Sequence, residues 1–482
     1  MTSLSETSLL AGASGQSTGY TIDQSIRFNP GDNTYMHRTQ DTADNKRKVT
    51  LSWWMKRGSS FGSELCLFAA GASSRYMARM HSDNKMTLRL TNSTTEKTMT
   101  TDMVFRDPSA WYHCVWIADC TGGVSTDFSR LYVNGLRATM TGTQPSADTD
   151  FAGYGDGSTF GISTNSHSLS SQEWDGYLAE IYLIDGYAYG PEYFGEFKTD
   201  TDIWIPKEYT GSYGTNGFFV DGRDSSDLGD DESGNGNDFA TNGLAAHDQV
   251  PDSPTNNFAV INSVYADDAT AGNARTLTNG NLQLVGPGNS FAVTGLTFNL
   301  PKSGKWYFEY TIGGTDDGFG YIIEGQQTSI NASNGPGNVS ASQGGGIQYR
   351  GWRNGGTYTT TFADYASSSF SAGDIHQVAI DVDNNDFYYG IANVYQAADA
   401  GKDGNPSSGS NPLVADFPFS TNDVVLLAAN YQGTNHYNFG QNGTFNGTKT
   451  AQGNSDGNGI GNFFYAVPTG FLALCSSNLG AV

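Results

Sequence analysis

Runs of Ala, Leu, Glu, Lys and Arg at a 3.6-residue period are missing from this 482-residue chain, so helix is expected to be minor. Basic residues are scarce: 25 Lys and Arg stand against 49 Asp and Glu, a formal net charge of −24. A nucleic-acid surface needs Lys and Arg to displace phosphate counterions, so nucleic acid is excluded as an expected partner, and anionic membranes with it. No stretch reaches the roughly 18 apolar residues that would span a bilayer. The residues Met1–Tyr20 have neither the basic region nor the long apolar core of a secretory signal, from which synthesis in a cytoplasm is expected. Cysteines number four, at 66, 114, 120 and 475, with no metal-finger spacing and no density suggesting a disulfide scaffold; they read as buried thiols.

Glycine (61), Tyr (26) and Phe (27) are abundant alongside Asn, Ser and Thr, a composition that favours turns and aromatic-studded strands. The length prior of about 100–200 residues per domain gives two or three units. Residues 1–24 are small and polar, a composition that cannot fold alone, and read as an arm or docking peptide in which Leu9 and Leu10 could anchor to a partner. From Ser25 short apolar runs alternate with turn residues, and Asn134-Gly135 is a strong two-residue hairpin signal. Residues 198–255 are rich in Gly, Asp and Asn and form a candidate bridge, which could complete the first module, start the second or stand apart. A second strand series begins near Ser303 and shows clear period-2 alternation in Asp374–Asp383.

Four segments in order, Leu51–Gly58, Trp111-Tyr112-His113, Arg130–Gly135 and Trp174–Ile181, resemble the concanavalin A-like, laminin-G-type jelly roll across about residues 25–197. In the second half Gly304–Glu309, Gly373-Asp374 to Asp381, Asp386–Tyr389 and Asn438–Gln441 resemble a SPRY-type sandwich across about residues 256–447, so residues 256–482 are assigned to that module and its tail. The expected fold is therefore all-β, two antiparallel β-sandwich (jelly-roll) modules in tandem, concanavalin A-like and then SPRY-like. This pairing behind a polar arm resembles virion structural proteins of marine and cyanobacterial tailed bacteriophages. That resemblance implies a virion surface protein, assembled in a host cytoplasm and released by lysis. It would contact other virion proteins through its arm and adhere to host surface glycans as a fibre, knob or decoration component. Multiple copies would strengthen weak sugar binding, and a homo-oligomer, a trimer, is expected. A purely structural capsid or tail part and a polysaccharide depolymerase are the alternatives.

Chemistry is sparse in the residues themselves. Concanavalin A-like folds also house glycosidases, whose two carboxylates must flank one sugar about 5–10 Å apart. The nearest pair, Glu180 and Asp185, is five residues apart, so strand alternation sends the two to opposite faces. The seven histidines are scattered, with no Gly-x-Ser-x-Gly elbow or His-Glu-x-x-His pair, and no catalytic function is expected. Asp230, Asp231, Glu232, Asn235, Asn237 and Asp238 offer oxygen ligands on a Gly-rich loop that could suit calcium, although they lack an EF-hand frame and also read as a plain turn. Sugars stack on exposed aromatic rings beside amide and carboxylate groups, and two loop-like clusters carry that combination. They are Tyr349, Trp352, Arg353 and Asn354, and Tyr431, Asn435, His436 and Tyr437. Trp53, Trp111, Trp116, Trp174 and Trp306 sit in apolar runs and read as core.

Overall fold

The computed structural model describes residues 19–71, 76–92, 95–122, 127–265, 275–314, 318–326, 344–348, 351–354, 357–361, 371–398 and 402–480. The chain forms two compact units, dividing between Asn257 and Phe258. Both are antiparallel β-sandwiches, and the longest α-helical stretch described is the single turn Ser476–Leu479.

One sheet of the N-terminal unit is ordered Leu136–Arg137, Ser129–Val133, Trp111–Asp119, Lys48–Arg57, Gly176–Asp185, Ser25–Phe28, Gln249–Val250, with Phe218–Val220 also paired to Gly176–Asp185. The other runs Met140–Gly142, Thr95–Thr101, Met86–Asn92, Tyr76–Met80, Leu65–Ala70, Thr159–Ile162, Tyr35–Thr39, Ala240–Asn242. Alternation decides what each strand buries. Val49, Leu51, Trp53 and Met55 point into the core shared by the two sheets, with Cys114, Trp116 and Ala118 from the neighbouring strand. The intervening Val115 and Ile117 face outward and are covered by an aromatic layer that includes Phe194, Tyr209 and Phe219. Trp116 stacks on Tyr76 at 4.4 Å across the core. The Asn134-Gly135 hairpin forms as its sequence demands: both residues have positive φ, 47° and 76°, and Val133 pairs with Leu136. All four cysteines are buried and free, and burial pushes the Cys66 thiol up to about 12.

The Gly/Asp-rich stretch 198–255 completes the first sandwich. Phe218–Val220 pairs with Gly176–Asp185, Ala240–Asn242 with Tyr35–Thr39, and Gln249–Val250 with Ser25–Phe28. Its composition reads as a linker because these strands are two or three residues long and are separated by turns. Residues 19–24 are likewise laid on the sandwich, with Ile22 packed beside Trp54, Trp111, Tyr177 and Trp204.

In the C-terminal unit one sheet places Lys305–Thr311 between Thr434–Asn438 and Ile375–Asp381, continuing through Asp386–Ile391. The second sheet places Gly318–Ile323 between Val424–Asn430 and Gly344–Gln348, followed by Gly351–Asn354 and Thr357–Thr361. The five tryptophans read as core are buried. Residues 454–479 are packed into this unit; Leu472–Ala473 adds a parallel strand to Lys305–Thr311.

Candidate functional site

A polar cleft of about 410 Å³ opens at the edge of the N-terminal sandwich, lined by His37, Arg38, Thr39, Asp41, Gly236, Asn237, Asp238 and Ala240. Sheet register builds it: His37 pairs with Ala240 on one side and Gly161 on the other, so the strand Tyr35–Thr39 carries its side chains beside the loop that precedes Ala240. Alternation sends Met36 into the core and leaves Thr39 exposed.

The loop holds its shape through Asp231. This buried carboxylate accepts hydrogen bonds from the backbone N–H of Phe219, Ser233 and Asn237 at 2.8–3.0 Å and from the Ser233 hydroxyl at 2.8 Å. Asn235 donates to the carbonyls of Gly214 and Gly217, and Asn237 to those of Thr215 and Gly217. Asp238 accepts from the N–H of Asp231. Arg38 donates to the side-chain oxygens of Asn237 and, at 3.5 Å, of Asn216. Asp41 lies 3.7 Å from the Arg38 guanidinium. Burial lowers the Arg38 pKa, and Asp41, Asp231 and Asp238 oppose that shift.

Of the six residues considered for calcium, Asp231, Asn235 and Asn237 thus spend their side chains closing the loop. Among the described residues no group of three or more His, Cys, Asp or Glu is gathered to hold a metal ion. Asp238, with Asp41, is available to the cleft instead: both are exposed. His37 contributes a ring whose Nδ1 is buried with no hydrogen-bond partner among the described residues, and Tyr35 packs its ring 5.9 Å away. A guanidinium, two carboxylates, a hydroxyl and an imidazole in one cleft suit a ligand rich in neighbouring hydroxyls.

The two clusters expected on the second module fare differently. Tyr349 lies outside the described residues. Trp352, Arg353 and Asn354 form a paired strand, Gly351–Asn354, rather than a loop. Tyr431 is half-buried with its ring against Phe291. Asn435 and Tyr437 are closed to any ligand: both are fully buried, because the strand Thr434–Asn438 turns alternate side chains inward. Asn435 accepts from the Gly313 N–H and donates to the Ala429 carbonyl, and Tyr437 stacks on Tyr310. His436 is half-buried beside the Asn446 amide.

Glu180 and Asp185 fall on opposite faces. Asp185 accepts from the Tyr154 hydroxyl inside the core, whereas Glu180 accepts from Tyr20 and Tyr182 on the outer face. Glu180 sits at a β-bulge with φ of 48°, a costly conformation for a non-glycine residue. Burial pushes its carboxyl up to about 7, with Asp221 acting in the same direction and the two tyrosine hydroxyls and Arg223 against it. The folded protein therefore holds this proton where the unfolded chain has lost it. The stability it contributes is complete below about pH 4.5 and disappears as pH rises through about 7, a span worth about 3 kcal/mol. Urea unfolding of Glu180→Gln across that range should show a flatter pH profile than the wild type; identical profiles would contradict the assignment.

Residues 30–188 match the model of the concanavalin A-like lectin/glucanases superfamily, laminin-G type. No curated protein matches the chain in sequence. Among solved structures, a laminin α1 fragment from mouse, domains LG4-5, is 9% identical, with a TM-score of 0.29 over 88% of this chain and 90% of that one. The SAP-like pentraxin of Limulus polyphemus is 16% identical over 35% of this chain and 78% of its own, TM-score 0.26. The SPRY domain of human HERC1 is 12% identical over 36% and 96%, TM-score 0.24.

Proposed function

We propose that this chain is a non-enzymatic adhesive protein that binds host surface glycans through the cleft of its N-terminal sandwich, as a surface component of a tailed-bacteriophage virion. The cleft carries this reading, because polar groups converge there from a β-strand and a loop 200 residues apart in sequence. The lectin-superfamily match covers the strand that supplies His37, Arg38 and Thr39, and Asp41 just after it. The virion setting rests on the ordered pair of modules read in the sequence. In that setting residues 1–18, ahead of the stretch packed on the sandwich, join the protein to the particle, and a trimer presents three weak sites together.

A glycan array with the full chain tests the reading. Asp41→Asn/Asp238→Asn should bind at least tenfold more weakly, since a hydrogen bond to a charged group is worth about 1.5–3 kcal/mol. Both side chains are exposed and asparagine keeps an acceptor oxygen for the Asp231 N–H, so the variant should stay folded, which thermal unfolding checks. A chelator should change nothing, because Asp231 is saturated by its own loop. No binding by the folded wild type would transfer the protein to a purely structural role; release of reducing ends would make it a depolymerase.

A further inference from the structure

A second surface on the N-terminal unit has the chemistry of a ligand contact. Tyr187, Tyr189 and Tyr193 form a continuous ring stack, with centroids 5.2 Å apart at 9° and 4.3 Å apart at 25°. The stack is held rigidly. The Thr50 hydroxyl donates to the Tyr187 carbonyl and accepts from the Tyr189 N–H, both at 2.9 Å. Beneath it Tyr209 stacks on Phe194 at 5.1 Å and 15°. Yet Tyr187 and Tyr193 remain 41% and 43% exposed, and none of the three phenol hydroxyls has a protein partner among the described residues. A fold gains little from leaving large rings half in water when the layer below is already packed.

We infer that this stack is a second carbohydrate contact, which takes the apolar faces of neutral pyranoses at its two exposed ends, one sugar ring on Tyr187 and one on Tyr193. The inference rests on the glycan-binding reading above but concerns a different set of residues. Ring faces meet the C–H face of the sugar, and unengaged phenols at the rim meet its hydroxyls. The three phenols carry no charge, the exposed Glu192 is matched by the exposed Lys207, whose ammonium donates to the Glu192 carbonyl at 3.1 Å, and the chain's net charge is −24. The chain's acidic balance disfavours an anionic sugar, while a neutral one needs only the ring faces and the phenol hydroxyls.

The test is titration of the full chain with cello-, malto- and laminarihexaose, read by calorimetry and by tyrosine difference absorption. Loss of two stacking rings in Tyr187→Ser/Tyr193→Ser should weaken binding about tenfold and abolish the difference signal, with thermal unfolding unchanged. Asp41→Asn/Asp238→Asn should keep the difference signal. Equal affinity in the tyrosine variant would overturn this inference and leave the cleft standing. A wild type that binds array glycans but none of the three hexaoses would also overturn it, and a wild type that binds nothing would overturn both. Self-association lost in the tyrosine variant by sedimentation would make a second copy the occupant and overturn the glycan assignment.

Discussion

Replacing Asp252 with alanine should cost the N-terminal unit about 3–5 kcal/mol, because it strands a buried ammonium. Lys56 Nζ lies 2.8 Å from Asp252 Oδ2, and neither side chain is exposed to solvent. Lys56 also donates to Asn257 Oδ1 at 2.7 Å, and Trp111 Nε1 donates to Asp252 Oδ1 at 3.2 Å. Burial lowers the lysine's pKa and Asp252 raises it again, so without the carboxylate the amine is driven toward its neutral form. Unfolding in urea, followed by tryptophan fluorescence, gives the cost directly. The double change Lys56→Met/Asp252→Ala should recover much of the loss, since an apolar replacement of a buried pair is often close to neutral. A single variant within about 1 kcal/mol of the wild type would show that water reaches the lysine.

Glu309→Ala should damage the C-terminal unit by a comparable amount, through orphaned donors rather than an orphaned charge. The buried carboxyl accepts from the backbone N–H of Phe464 and Tyr465 and from the Tyr307 hydroxyl, each at 2.8 Å, and from the Asn438 amide at 3.3 Å. At about 1 kcal/mol or more for each donor left unsatisfied, the cost is about 4 kcal/mol or more. Burial pushes this carboxyl up to about 7 against those four hydrogen bonds. Hydrogen exchange should find the amides of Phe464 and Tyr465 losing protection first, because Glu309 clips the C-terminal segment to the strand Lys305–Thr311. Wild-type protection at both amides would refute the clip.

Much of the fold was legible because alternation and turn chemistry act locally. Lys48–Arg57, Trp111–Asp119 and the Asn134-Gly135 hairpin each carry their own signal. The segment 198–255 did not, since strands of two or three residues between turns have no period to read. The cleft was hidden for another reason: His37, Arg38 and Asp41 meet Asn237 and Asp238 only through sheet register. Sequence reasoning found the loop at 230–238 and left its oxygens open between calcium ligands and a plain turn. It could not see that Asp231 spends its carboxylate on backbone donors at 219, 233 and 237. Asn435 and Tyr437 misled because Gly-rich surroundings suggested a loop, whereas they occupy the inward positions of a strand.

The most direct test of the central claim is hydrogen exchange of the full chain with and without its tightest-binding array glycan. Binding in the cleft predicts added protection at residues 36–41 and 236–240. Protection confined to 351–354 and 431–436, or absent from the N-terminal unit, would contradict it.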